Sequence, residues 1–330
     1  PLRPGGGCLY PVTEKGDTMQ SVHKDENSPR IVVVGDSILD VYCLGKNDGG
    51  EPPRFSWKSQ VSVPGGAGNV VSNIRALGGY PLLFSKVGTD AASIQYIRRL
   101  TRRGISTRYI RTCADSGISV KTRYCEGERI FRADRDFMNV QTEREAYRLM
   151  QDIQALIPPY QAVVFSDYAK GFCSGTLYRL LSGYCYRKAI HLFVDSKSLF
   201  PPAFAYVYKP NWWEFEQRLG HRIRNRDELP TQARAFQKKY RIQHLIVTMD
   251  KQGVLWMDPE GEPHWYPPLT AKVVNSCGAG DSFLAALAVA DGKGIAMQDA
   301  IPLANKAAGS ACRHPGTYTV KACEIFDERD

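Results

Sequence analysis

The chain has 330 residues, and its 43 Lys and Arg against 34 Asp and Glu give a formal charge of +9. That length suits two average domains or one large α/β domain with an insertion, and 43% hydrophobic with 23% charged residues excludes wholesale disorder. The longest apolar stretch, Phe283 to Ala290, falls far short of the roughly 20 residues a membrane helix needs, so no span is expected.

Nine cysteines run from Cys8 to Cys323. The count is odd and no two form a CxxC, which argues against a zinc knuckle or a disulfide scaffold and for reduced thiols in a cytoplasmic protein. The positive charge admits nucleic acid, an anionic membrane or small anions as partners. Its densest part, Arg98 to Arg111, has little aromatic interleaving and no nucleic-acid motif. It reads as a solvated helix face, and no nucleic-acid partner is expected.

Residues 1–29 are rich in Pro, Gly, Ser and charge and carry no apolar signal core; they are expected to be a disordered tail or leader. From Arg30 the pattern changes. Ile31-Val-Val-Val34 is a β-branched run ended by Gly35-Asp36, as in a strand buried on both faces. Similar runs are 162–165, 191–194, 206–208 and 244–247, separated by helical-length segments such as 67–77, 91–102, 143–156 and 174–187. This βαβα rhythm predicts an α/β fold with a doubly wound, mainly parallel sheet flanked by helices. Two stretches depart from it, 41–63 and 117–133. The second contains Ile118 to Arg132, which alternates about a Glu126-Gly turn. Together they predict a small β lid assembled from separated segments.

Ligands of open parallel sheets sit at the carboxyl ends of the strands, and two loops stand out there. Asn275-Ser-Cys-Gly-Ala-Gly-Asp-Ser-Phe283 runs straight into an apolar helix. Gly278, Ala279 and Gly280 can present backbone N–H groups to an anion, and Asp281 in the first turn is placed to take a proton from an attacking hydroxyl. The helix dipole is expected to lower its pKa. The bland alternative is a Gly-containing turn with Asp281 merely capping the helix. The other loop is Val63-Pro-Gly-Gly-Ala-Gly-Asn69, in which paired glycines admit a close polyol and Asn69 offers donor and acceptor. It fits neither a dinucleotide fingerprint nor a P-loop, and a plain turn before a helix is its alternative.

Their order, Pro64-Gly-Gly-Ala-Gly-Asn69 early and Gly278-Ala-Gly-Asp281 late, resembles the two signatures of the ribokinase-like (PfkB) carbohydrate kinases. Gly35-Asp36-Ser-Ile-Leu-Asp40, Pro210-Asn211-Trp-Trp-Glu214, Val247-Thr248 to Gly253 and Ala304-Asn305-Lys-Ala-Ala308 are similar to the motifs between and after them. Within the family the chain is most similar to the D-glycero-β-D-manno-heptose 7-phosphate kinases, through Ser166-Asp-Tyr-Ala-Lys-Gly171, Asp195-Ser-Lys197, Lys209-Pro-Asn211, Lys121-Thr-Arg123 and Ile130-Phe-Arg132. The resemblance implies one ribokinase-like domain over 30–330, the kinase half of a bifunctional heptose enzyme. The implied reaction uses ATP and Mg2+, with a monovalent cation also possible, to phosphorylate O1 of the heptose 7-phosphate for lipopolysaccharide precursors.

On this resemblance Asp281 is the general base, with Gly278, Ala279 and Gly280 as the anion hole. Asp36, Asp40, Gly65, Gly66 and Asn69 hold the sugar, and Lys121, Arg123, Arg132 and Lys170 its phosphate. Asp195, Lys197, Asn211, Thr248, Gly253, Gly278, Gly280 and Asn305 are assigned to the nucleotide. Asn211 and Glu214 are assigned to magnesium through water. A homodimer is implied. Asn275, where the family motif is acidic, Cys277 for Thr or Ser, and an off-pattern stretch after Asp40 leave two alternatives: another sugar, sugar-phosphate or nucleoside kinase of this family, or a weakened binding homologue.

Overall fold

Ile31 and Val33 enter one core and Val32 and Val34 the other, all without solvent exposure, as a strand covered on both faces requires. The computed structural model describes residues 28–326 apart from 53, 128, 158, 159 and 270–272. The disordered tail expected over 1–29 lies outside the described residues except at Ser28 and Pro29, and the Pro29 carbonyl already accepts from the Tyr80 N–H at 2.7 Å. In chain order the strands are β1 (Arg30–Gly35), β2 (Ser37–Gly49), β3 (Arg54–Gly66), β4 (Tyr80–Val87), β5 (Ile110–Thr112), β6 (Ser119–Glu126), β7 (Arg129–Arg135), β8 (Ala162–Asp167), β9 (His191–Ser196), β10 (Val207–Tyr208), β11 (His244–Thr248), β12 (Val254–Met257) and β13 (Pro263–Tyr266). The helices are α1 (Ala67–Ala76), α2 (Ala91–Thr101), α3 (Glu143–Leu156), α4 (Gly175–Arg187), α5 (Trp212–Leu219), α6 (Leu229–Tyr240), α7 (Ala279–Gly292) and α8 (Met297–Cys312).

Nine strands form one sheet in the order β13-β12-β11-β10-β9-β8-β1-β4-β5. All neighbours are parallel except the β11–β12 and β12–β13 pairs at one edge. One face packs on α1, α2, α7 and α8, the other on α3 to α6. Helix α7 carries no amphipathic stripe, because Phe283 to Ala290 are buried all round, as expected of a helix within a core. The sequence pattern did not single out β4. Its apolar Leu82-Leu-Phe84 is only three residues long and sits between Pro81 and Ser85, yet it is an interior strand, paired with β1 on one side and β5 on the other.

The lid is a four-stranded sheet in the order β3-β2-β6-β7. It is longer than the expected 41–63 and 117–133: β2 starts one residue after β1, and β3 runs to Gly66 at the head of α1. Lid and core are therefore continuous backbone. The Arg98 to Arg111 run is only partly the solvated face expected. Arg98, Arg102 and Arg108 are exposed, but Arg99 donates to Ser62, Arg103 to Ser72, and Arg111 pairs with Asp152 at 2.8 Å. Cys43, Cys125, Cys173, Cys185, Cys277, Cys312 and Cys323 are free thiols; Cys113 is disulfide-bonded, against the expectation of reduced thiols throughout.

A methyl group at Gly35 would sit 2.5 Å from the Ser166 carbonyl oxygen and 2.6 Å from the Ala67 Cβ. Gly35→Ala is expected to cost about 1–3 kcal/mol by overpacking, read as a lower urea midpoint. An unchanged midpoint would mean that β1 and β8 can spread to admit it.

Candidate active site

Helix α7 starts from Gly278, its N-cap, at φ 78°, a left-handed conformation that favours glycine. A Cβ there would also meet Asn69 Nδ2 at 2.6 Å. The Ala279 N–H donates to the Ser276 carbonyl at 3.3 Å, so of the three expected anion-hole donors Gly278 and Gly280 are the better placed at this helix start. Asn275 keeps the preceding turn in shape, its Oδ1 accepting the Cys277 N–H at 2.7 Å.

Asp281, in the first turn of α7, is buried. Both of its oxygens accept side-chain hydrogen bonds, Oδ2 from Asn69 Nδ2 at 2.9 Å and Oδ1 from Tyr168 Oη at 2.6 Å. Burial outweighs these donors and pushes its pKa up to about 6, so the lowering expected from the helix dipole is overturned. A carboxylate with that affinity for a proton is still ionised at neutral pH and is a better base than an exposed one.

Asp281 opens on a cleft of about 490 Å³ between the lid and the carboxyl ends of the strands. The cleft is lined by Asp40, Gly66, Lys121, Arg123, Arg132, Asp195, Lys197, Asn211, Glu214, Thr248, Gly253, Gly278, Ala279, Gly280 and Asn305 as well. Four candidates do not line it. Asn69 lies behind Asp281. Gly65 lies behind Asp40, where a Cβ would stand 2.2 Å from the Asp40 carboxylate. Lys170 pairs with Asp136 at 2.7 Å. Asp36, expected to hold the sugar, is buried beneath the cleft and accepts the N–H groups of Tyr168, Lys170 and Phe172 at 2.8, 3.2 and 3.3 Å. It shapes the 168–172 turn instead. Burial and then Asp167 push Asp36 up to about 7. The oxygens of Asp36 and Asp167 all accept hydrogen bonds from protein groups, so this acidic pair is structural.

On the lid side, Asp40 accepts from Arg123 at 2.8 Å and from Thr317 Oγ1 at 3.0 Å. Lys121 is held below the ordinary lysine range by burial, then by Lys197, with Arg132 and Lys170 adding to the repulsion against Asp40. Lys197, assigned to the nucleotide by resemblance, stands 4.1 Å over the Tyr168 ring and Lys121 5.2 Å over it, so the two lysines share one neighbourhood. Arg132 is already engaged by Asp134.

On the other side, the Lys209 ammonium pairs with Asp195 at 2.7 Å, both largely buried. A Cβ on Gly280 would come within 3.3 Å of that ammonium. Asn211 and Glu214 form the capping box of α5, with Asn211 Oδ1 accepting from the Glu214 N–H and Glu214 Oε2 from the Asn211 N–H. Burial, then Asp195, raise the Glu214 pKa against the opposing pull of Lys209, the response of two carboxylates placed near each other. Glu214 and Asp195 therefore offer the hard oxygen donors that suit hydrated magnesium, while the Asn211 oxygen belongs to the helix cap. Thr248 joins Asn211 through a parallel bridge, and Asn305 donates to the Pro267 carbonyl at 2.8 Å.

Several residues of the site were not singled out as such from the sequence. Tyr168 and Lys209 stood inside quoted motifs, yet nothing local marks a tyrosine or a lysine as a partner of a distant carboxylate. Asn73, which donates to Asn69 and accepts from Ser282 and from the Val320 N–H, and Thr317 gave no signal.

The pfkB family carbohydrate kinase model matches residues 28–322. The bifunctional protein HldE of Gluconacetobacter diazotrophicus is 31% identical over 313 residues, covering 92% of this chain and 64% of that protein. The bifunctional protein HldE of Nitratiruptor sp. is 31% identical over 303 residues, covering 90% and 64%. The chain spans less than two thirds of the length of these relatives. Among solved structures, phosphofructokinase-2 from Escherichia coli in complex with substrates and products aligns with a TM-score of 0.74 at 18% identity, over 90% of this chain and 97% of that one. Arabidopsis thaliana ribokinase complexed with ribose and ATP aligns with 0.70 at 16%, over 91% and 96%. These likenesses concern the fold, which is ribokinase-like. With the family match covering nearly all of the described chain, the protein belongs to the pfkB family of carbohydrate kinases and is a sugar phosphotransferase.

Proposed function

We propose that the protein transfers the γ-phosphoryl group of ATP to a sugar that already carries a phosphate, with D-glycero-β-D-manno-heptose 7-phosphate as acceptor at O1 and the 1,7-bisphosphate as product. The observation that carries the acceptor class is the convergence of Lys121, Lys197 and Arg132 on one side of the cleft. Lys121 is kept below its ordinary range by burial and by the other cations, and a bound dianion relieves that repulsion. The motifs resembling the heptose 7-phosphate kinases support the heptose acceptor, as does the similarity to the bifunctional HldE proteins.

Asp40 and the Gly66 backbone hold the sugar so that its hydroxyl meets Asp281. As the new O–P bond forms, the hydroxyl proton passes to the Asp281 carboxylate and the bond from the γ-phosphorus to ADP breaks, the pair of electrons leaving on ADP. Gly278 and Gly280 N–H groups stabilise the charge on the transferring phosphoryl group. Lys209 balances Asp195 beside them. Magnesium, when bound, neutralises phosphate charge, and Glu214 with Asp195 would hold it through water. Closure of the lid excludes water and limits hydrolysis of ATP. A cytoplasmic homodimer belongs to the same reading, with the exposed Trp57 and Phe131, which meet Tyr124 on one face of the lid, as part of the surface a second copy would cover.

Asp281→Asn is expected to lower kcat by roughly 10²- to 10⁴-fold, read as ADP release with heptose 7-phosphate; undiminished activity removes Asp281 from this role. A base acts when deprotonated, so with Asp281 near 6 kcat/KM falls as the pH drops through that value and levels off above it. A profile flat over roughly pH 5 to 8 excludes this carboxylate as the titrating group. Lys121→Ala is expected to raise KM for the phosphorylated sugar about 10-fold or more, with unphosphorylated sugars little affected. Equal effects on both acceptor classes would place Lys121 away from the acceptor phosphate.

A further inference from the structure

We infer that Tyr168 is a positioning residue for the base, its hydroxyl donating to Asp281 Oδ1 at 2.6 Å so that one defined carboxylate lone pair faces the acceptor hydroxyl. The inference rests on the reading of Asp281 as base. The terminal torsion of a carboxylate is soft, and a single donor leaves it free to pivot. Asn69 fixes Oδ2 at 2.9 Å, and Tyr168 supplies the second point of attachment. Of the groups facing Asp281, namely Asn69 from α1, Tyr168 from the turn after β8, Asp195 from β9, Lys197 after it and Lys209 after β10, Asn69 and Tyr168 hydrogen-bond to it. A phenol suits this role because burial, then Asp281 itself, hold its pKa well above the ordinary phenol value, so it remains a donor.

The residue is anchored on its other side. Its N–H donates to buried Asp36 at 2.8 Å, the same carboxylate that holds Lys170 and Phe172, and Ala169 next to it takes the left-handed φ of 54°, a conformation that persists only where its surroundings enforce it. The face of the ring lies under Lys197 at 4.1 Å and Lys121 at 5.2 Å, within cation–π range. One aromatic ring thus aims the base with its hydroxyl and spaces with its face two of the cations assigned to the acceptor phosphate. Occupancy of the phosphate subsite and orientation of the base are joined through it.

The test compares Tyr168→Phe, Tyr168→Leu and Asp281→Asn with the wild-type chain, using heptose 7-phosphate and ATP and following ADP release across pH. Tyr168→Phe keeps the ring; kcat is expected to fall roughly 10- to 100-fold with KM for the sugar nearly unchanged. The acid limb of kcat/KM should move up by about half to one pH unit, because the carboxylate loses a donor to its charged form. Tyr168→Leu also removes the ring and should raise KM for the phosphorylated sugar in addition. Tyr168→Phe with wild-type kcat and an unmoved acid limb, beside an inactive Asp281→Asn, overturns the inference alone; an active Asp281→Asn overturns the reading beneath it. Should Tyr168→Phe fail to fold, site-specific 3-fluorotyrosine keeps shape and hydroxyl but strengthens the donor. The acid limb then moves down if the inference holds and stays in place if it does not.

Discussion

A hydrogen bond from Asn69 Nδ2 to Asp281 Oδ2 joins two helix starts that are 212 residues apart in the chain. A buried carboxylate without partners is costly, by several kcal/mol, so Asp281 can lie inside the protein only where such donors reach it. That requirement brings the N-termini of α1 and α7 together. Asn73, one turn on, ties Asn69, Ser282 and the Val320 N–H into the same network. The side chains below it, Val70, Val71 and Ile74 of α1 with Phe283, Leu284 and Leu287 of α7, belong to one apolar core. The apolar packing carries the stability of the contact, and the polar network above it decides its register.

The second carboxylate of the early motif, Asp36, has a different part. Its oxygens take three N–H groups of the 168–172 turn, and that turn carries Tyr168 to Asp281 and Lys170 to Asp136. Two aspartates four residues apart thus diverge: Asp40 reaches the cleft along β2, and Asp36 supports the cleft from below. Gly65 is glycine because the Asp40 carboxylate occupies the space a side chain would need. The β2–β3 hairpin of the lid begins one residue after β1 and ends at the head of α1. The lid cations Lys121 and Arg123 sit on β6, whose parallel register with β2 sets Lys121 opposite Asp40 and Arg123 opposite Tyr42.

Much of this was legible in the sequence. The runs at 31–34, 162–165, 191–194 and 244–247 are strands because short, nearly continuous apolar runs rich in β-branched and aromatic residues suit a sheet buried on both sides. Strand β4 was hidden because its apolar core is short and follows a proline, and its pairing with β1 and β5 is what makes it an interior strand. The two glycine loops and Asp281 were visible as local patterns. Tyr168, Lys209, Asn73 and Thr317 were not, since each acts through a partner far along the chain. The proton affinity of Asp281 was misjudged for a related reason. The helix start is a local feature and was counted, whereas burial depends on everything packed around it and was not.

The order of residues is enough to set the parts whose causes are local: strand and helix runs fixed by side-chain periodicity, a left-handed turn that favours glycine at Gly278, and an acidic residue in the first turn of an apolar helix. Folding in three dimensions settled which of the candidate carboxylates face the cleft, which cations gather beside Tyr168, and what holds Asp281 in place. Those outcomes depend on distances between residues remote in the chain and on how much water is excluded around them. Electrostatic energies respond steeply to both, and neither can be read along a single stretch of chain.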